Sequence, residues 1–186
     1  ALVGRVLWDA GFTVGIIAQP DWNNAADFTA LGKPRLFFGI SSGNVDSMVN
    51  NFTPNLKRRG DDVYSPGGIP RRPDRATIVY TNRVHELFPD SIIIIGGIEA
   101  SLRRFAHYDY WQDRVRQSLI ADAPADLLIF GMGERQVVEI ARRLDSGNTI
   151  SSIRNVRGTA FGMEIAEWRR TKPEGFIELP GFSEVA

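Results

Sequence analysis

The chain has 186 residues, sets 22 Lys and Arg against 22 Asp and Glu, and is 43% hydrophobic and 24% charged. That composition fits one globular domain, or one domain with a tail, and a net charge of zero gives no global field to gather a polyanion. The complete lack of cysteine excludes a disulfide framework, a thiolate nucleophile, Cys-ligated zinc and an iron–sulfur cluster held by this segment alone. No apolar run approaches the roughly 20 residues of a membrane span, and nothing resembles a signal peptide, so the expected location is the cytoplasm.

In chain order, Leu2, Val3, Val6, Leu7 and Ala10 repeat at helical spacing, with Gly11 as the stop. Residues 13–18 are then expected as a strand ending at Gln19, Pro20 and Asp21. A second strand is expected over residues 34–40, closing in Ser41, Ser42, Gly43 and Asn44, with a short helix over residues 46–52. Residues 54–75 are rich in Pro, Gly and Arg and are expected as a long irregular excursion, the kind that is functional or disordered. A helix over about residues 74–88, on Ala76, Val79, Tyr80, Val84, Leu87 and Phe88, stops at Pro89.

Ile92, Ile93, Ile94 and Ile95 then form an all-apolar run that suits a strand covered on both faces. It breaks at Gly96 and Gly97 and is followed by Glu99. A helix over residues 109–121 is expected from Trp111, Val115 and Leu119. The strand over residues 126–130 breaks at Gly131 and Gly133 and is followed by Glu134 and a helix through Val137, Ile140, Ala141 and Leu144. Strands alternating with helices predict an α/β fold: a doubly wound, mainly parallel sheet in a three-layer, flavodoxin-like sandwich. A helix that feeds directly into a strand leaves the opening strand of a βαβ unit missing, as in an excerpt of a longer protein. The α/β domain is expected over residues 1–150, with residues 151–186 as a connector.

Ligands of open α/β sheets sit at the carboxyl ends of the strands. The candidate edge is therefore Ser41, Ser42 and Gly43 with Gly96, Gly97, Glu99, Gly131, Gly133 and Glu134, serving a ligand or a second domain. Gly131, Met132 and Gly133 do not complete a dinucleotide fingerprint, because Gln136 stands where the third glycine belongs. Residues 41–44 are expected to cap the following helix through Asn44 or a serine; a phosphate or ribose site is the alternative. Residues 101–111 are dense in Arg and aromatic side chains. They suit packing, with the arginines on Asp109 or Asp113, or an RNA platform that stacks bases. His85 and His107, the only histidines, have no second histidine or clustered carboxylates at ligand spacing and are expected as surface or packing residues.

Several strings together carry a resemblance. They are residues 37–44 with 46–49, 59–62 with 64–68, 72–81, 96–104, 106–111, 157–160 and 178–180. The chain resembles the amino-terminal region of the YgiQ family of radical S-adenosylmethionine proteins. The resemblance implies a cobalamin-binding-like α/β domain ahead of a partial TIM-type barrel. In that barrel a CxxxCxxC motif would hold a [4Fe-4S] cluster that binds and cleaves S-adenosylmethionine. With no cysteine here, no catalytic residue carries over to this chain, and it is expected to bind no cofactor of its own. The DxHxxG cobalamin signature is absent too, so cobalamin would have to bind without a histidine ligand. The expected role is an accessory domain that positions substrate, small molecule or RNA, or packs on the barrel of the same protein. A free-standing nucleotide- or corrin-binding module and an RNA platform are the alternatives.

Overall fold

A computed structural model describes residues 2–186. In chain order the elements are α1 (Leu2–Asp9), α2 (Ala26–Thr29), β1 (Phe38–Ile40), α3 (Ser47–Asn51), α4 (Ala76–Leu87), β2 (Ile93–Ile95) and α5 (Gly97–Leu102). They continue as β3 (His107–Asp109), β4 (Arg114–Arg116), α6 (Leu119–Asp122), β5 (Leu127–Ile129), α7 (Glu134–Asp145), β6 (Thr159–Ala160), α8 (Ile165–Thr171) and α9 (Phe182–Val185). The main sheet has the order β1-β2-β5-β6. β1, β2 and β5 are parallel and β6 returns antiparallel, so the sheet is mixed but mostly parallel.

The isoleucine run is apolar throughout because its two sides enter different cores. Ile93 and Ile95 pack with Ala76, Tyr80 and Val84 of α4 and with Ala100, Leu119 and Ala123. Ile94 faces the other way, joining Leu127, Ile129 and the inner face of α7, Val137, Ile140, Ala141 and Leu144. Leu7 of α1 lies in this second core. Helices therefore cover both faces of the sheet.

Three expectations change. Residues 13–18 contain no assigned strand, since no neighbouring chain supplies a ladder for them. Residues 109–121 are not one helix: β3 and β4 form an antiparallel hairpin, and only the short α6 follows. The turn between them places Asp113 at φ 49°, and Asp109 is anchored to Arg75, so the helical spacing of Trp111, Val115 and Leu119 is incidental. The cap of α3 is Asp46 rather than Asn44 or a serine, its side chain accepting from the Met48 and Val49 amides. Gly11 does end α1, at φ +93° with the Phe12 amide donating to the Leu7 carbonyl. Beyond residue 150, Ile153 and Val156 are buried in the second core and Thr159 and Ala160 extend the sheet beside β5.

Candidate functional site

The parallel strands end at Ile40, Ile95 and Ile129, so the three loops expected as a site emerge at one edge. They touch. A Cβ on Gly97 would stand 3.2 Å from the Ser41 Cβ, and one on Gly96 would stand 3.3 Å from the Ile129 carbonyl oxygen. Ser101 joins the second and third loops, donating to the Gly97 carbonyl at 2.8 Å and accepting from the Gly131 amide at 3.0 Å. Gly97 has φ +85°, a left-handed conformation that glycine adopts without steric cost. Gly133 has no room for a side chain, because a Cβ there would fall 2.6 Å from Ile129 Cγ2.

Glu99 is fully buried, 0% exposed, and its carboxylate is occupied. Oε2 accepts from the Ser47 amide at 2.8 Å and the Ser47 hydroxyl at 2.6 Å, while Oε1 accepts from the Thr77 amide at 2.9 Å. The Ser47 oxygen in turn accepts from the Ala76 amide at 3.0 Å. One carboxylate thus gathers the free amides that open α3 and α4, where the helix dipole also favours negative charge. Ser42 is buried and donates to the Val45 carbonyl. Glu134 opens α7, half-buried, and lines an open groove of about 540 Å³ against α1 on the flank of the sheet.

The excursion over residues 54–75 is ordered and folded onto this edge by buried charge. Asp62 accepts from the Tyr64 amide and the Ser65 hydroxyl, with the buried Arg72 guanidinium 4.0 Å away. Burial pushes the Asp62 carboxyl up, but these hydrogen bonds and Arg72 outweigh it and hold it below the usual range. Arg75, left-handed at φ 52° just before α4, binds the buried Asp109 at 2.6 Å. Asp109 is likewise pushed up by burial and brought below its ordinary value by Arg75, the Gln112 amide and Arg103. Arg103 pairs with Asp46. Burial raises the Tyr80 phenol to about 12, against Arg72, which favours its anion.

The arginines of residues 101–111 therefore have internal partners, but not the two expected, since Arg103 lies on Asp46. Arg104 stacks over Phe105 and Phe130 and donates to the Ser101 carbonyl. Beside the exposed Ser41 and Asn44, the edge presents apolar side chains to solvent: Ile98 is 47% exposed, Leu102 63% and Met132 83%. Sequence reasoning missed Asp46, Ser47, Arg72, Arg75 and Ser101, and named Asp109 as an arginine's partner without finding that the arginine is Arg75. The available signal was an Asp-Ser pair opening α3 and a run of arginines and aspartates in an excursion otherwise taken as loop.

The family model described as Radical SAM N-terminal matches residues 1–186. The chain belongs to this family. It is 61% identical to a UPF0313 protein of Methanosarcina mazei over 94% of the chain and 28% of that protein. It is 57% identical to a UPF0313 protein of Clostridium botulinum (strain ATCC 19397 / Type A) over 100% of the chain and 28% of that protein, and 52% identical to one of Thermotoga petrophila over 100% and 32%. The chain thus spans about three-tenths of the relatives' length. No solved structure matches it.

Family membership implies an iron–sulfur cluster and S-adenosylmethionine for the full-length protein. The residues here do not fit a cluster held by thiolates, because the chain has no cysteine. Among the described residues no group of three His, Cys, Asp or Glu could hold a metal ion. His85 is exposed near the end of α4, away from the candidate edge, and His107 sits on β3 with Nδ1 3.1 Å from the Phe105 carbonyl oxygen. Among the described residues no helix is long and apolar enough to cross a membrane.

Proposed function

We propose that this chain is the accessory amino-terminal domain of a radical S-adenosylmethionine enzyme, a flavodoxin-like sandwich whose carboxyl edge packs on the barrel of the same protein. One observation carries the proposal. Two polar groups of the edge, Glu99 and Ser42, are spent inside the fold, while Ile98, Leu102 and Met132 face solvent beside the exposed Ser41. Such an edge suits an apolar docking partner better than a polar small ligand. The occupant is the remaining polypeptide, since the matched region is only 28% of the relatives' length. The cluster and S-adenosylmethionine belong to that remainder, and cobalamin has no histidine ligand at the edge. The domain proper runs past residue 150 through β6, since Ile153 and Val156 are buried in its second core and β6 pairs with β5, and the residues after Ala160 lead toward the barrel.

Small-angle scattering on the full-length protein tests this. Ile98→Asp with Met132→Asp places two charges on exposed positions, so the domain itself should melt as before and iron content should hold. The expected result is a larger radius of gyration as the two parts separate. A double variant as compact as the parent would refute docking through this edge.

A further inference from the structure

Residues 13–18 have the side-chain alternation of a strand without its hydrogen bonds. A Cβ on Gly4 of α1 would meet Ile16 Cδ1 at 2.8 Å and Val14 Cγ1 at 3.7 Å, so the Val14 and Ile16 side lies under α1. A Cβ on Gly15 would meet Leu31 Cδ1 at 2.5 Å, so the opposite side lies under the residues after α2. Helix α1 packs on α7 and α2 packs on α4, and α4 and α7 cover opposite faces of the sheet. The segment therefore runs between elements of both helical layers and is left partly open, with Ile16 63% and Ile17 38% exposed. Yet no residue from 13 to 18 makes a backbone hydrogen bond to any described residue.

Handedness fixes where its partner belongs. The chain steps from β1 to β2 to β5 with α4, α5 and α6 on one face. Crossovers between parallel strands are right-handed, so a connecting helix on the other face requires a step in the opposite direction. Helix α1 is on that other face. The strand that feeds α1 must then lie on the β1 side of residues 13–18. The edge of β1 is open to receive it: β1 ends the sheet, and Gly39 is exposed. Phe38 and Ile40 bond toward β2 through the Ile92 carbonyl and the Gly96 amide, which in a parallel ladder leaves the Gly39 N–H and C=O pointing outward.

We propose that the residues preceding Ala1 in the full-length protein form a parallel strand that inserts between residues 13–18 and β1. The completed order is residues 13–18, the inserted strand, β1, β2, β5, β6. The occupant is a segment of the same polypeptide. It has to deliver the chain to the amino end of α1 from the carboxyl edge of the sheet, and the relatives carry far more chain than the matched region. The order of strands reverses direction beside β1, and ligand crevices of such sheets open at that reversal. The loop entering α1 therefore emerges next to Ser41, Ser42 and Gly43 and supplies a wall of the edge that these residues alone do not form.

Amide hydrogen exchange on the full-length protein, resolved to short peptides, tests the proposal. Alternate amides within residues 14–18, the Gly39 amide and a run of residues just before Ala1 should exchange about a hundredfold or more slower than unstructured chain. Free exchange at residues 14–18 and Gly39 would overturn it. So would protection there with free exchange before Ala1, because the strand would come from elsewhere. Protection that appears only at concentrations where sedimentation shows a dimer would also overturn it, assigning the strand to a second copy.

Discussion

Glu99→Gln is the smallest change that reaches the centre of the structure. It keeps the shape of the side chain but replaces one carboxylate oxygen with an amino group. If that group takes the Oε1 position it faces the Thr77 amide, 2.9 Å away; at Oε2 it faces the Ser47 amide and hydroxyl at 2.8 and 2.6 Å. Either orientation sets donor against donor in a site without water access. A hydrogen bond to a charged group contributes about 1.5–3 kcal/mol, and a buried donor left without an acceptor costs about 1–3 kcal/mol. The expected loss is therefore about 2–4 kcal/mol of unfolding free energy. The openings of α3 and α4 lose their common anchor together, so the excursion before α4 should loosen as well. Urea unfolding followed by tryptophan fluorescence measures the first effect, and amide exchange at residues 47–49 and 76–78 measures the second. A Glu99→Gln protein within about 0.5 kcal/mol of the parent, the scatter of ordinary surface changes, would show that the carboxylate does not hold these helices.

Acid should weaken the fold in two steps. Burial, ahead of the opposing hydrogen bond to the Phe105 carbonyl, lowers His107 from its ordinary value. The unfolded chain therefore takes up that proton first as pH falls through about 6.5, and stability declines there. Asp62 and Asp109 sit below the usual carboxylate range, so their contribution is full above about pH 4 and is lost as pH falls through their lower folded values. Urea midpoints across this range test both steps, and His107→Gln should abolish the first; a midpoint flat from about pH 7 to 5 would contradict it. Gly97→Ala should cost more than Gly131→Ala. Both sit at positive φ, +85° and +71°, but only the Gly97 Cβ would press on Ser41, at 3.2 Å, while nothing lies within 4 Å of the other. Backbone strain alone is about 1–2 kcal/mol, and equal losses would show that the contact between the first two loops carries no energy.

The edge was legible in the sequence because apolar runs that stop at glycines mark where buried parallel strands end. The β2 run and the α7 stripe of Val137, Ile140, Ala141 and Leu144 each found the core expected of them. What escaped was long-range and electrostatic. Arg75 meets Asp109 and Asp46 meets Arg103 across dozens of residues, and no spacing rule announces such pairs. Glu99 follows two glycines as a ligand-binding acid would, and only the fold shows its carboxylate turned inward to Ser47 and Thr77. The hairpin of β3 and β4 was hidden by a helical spacing that three apolar residues produce by coincidence. Residues 13–18 have the composition of a strand, but composition cannot say whether a neighbouring strand is present.

Met132 offers the most direct test of docking through the edge, because it is 83% exposed in this domain while Met48 is 2% exposed. The measurement is the rate at which each methionine of the folded full-length protein becomes sulfoxide under dilute peroxide, read by peptide mass spectrometry. If the edge packs on the rest of the protein, Met132 should be oxidised about tenfold or more slowly than in the unfolded chain, approaching Met48. Met132 reacting as fast as in the unfolded chain would mean that the edge faces solvent and that the domain does not dock there.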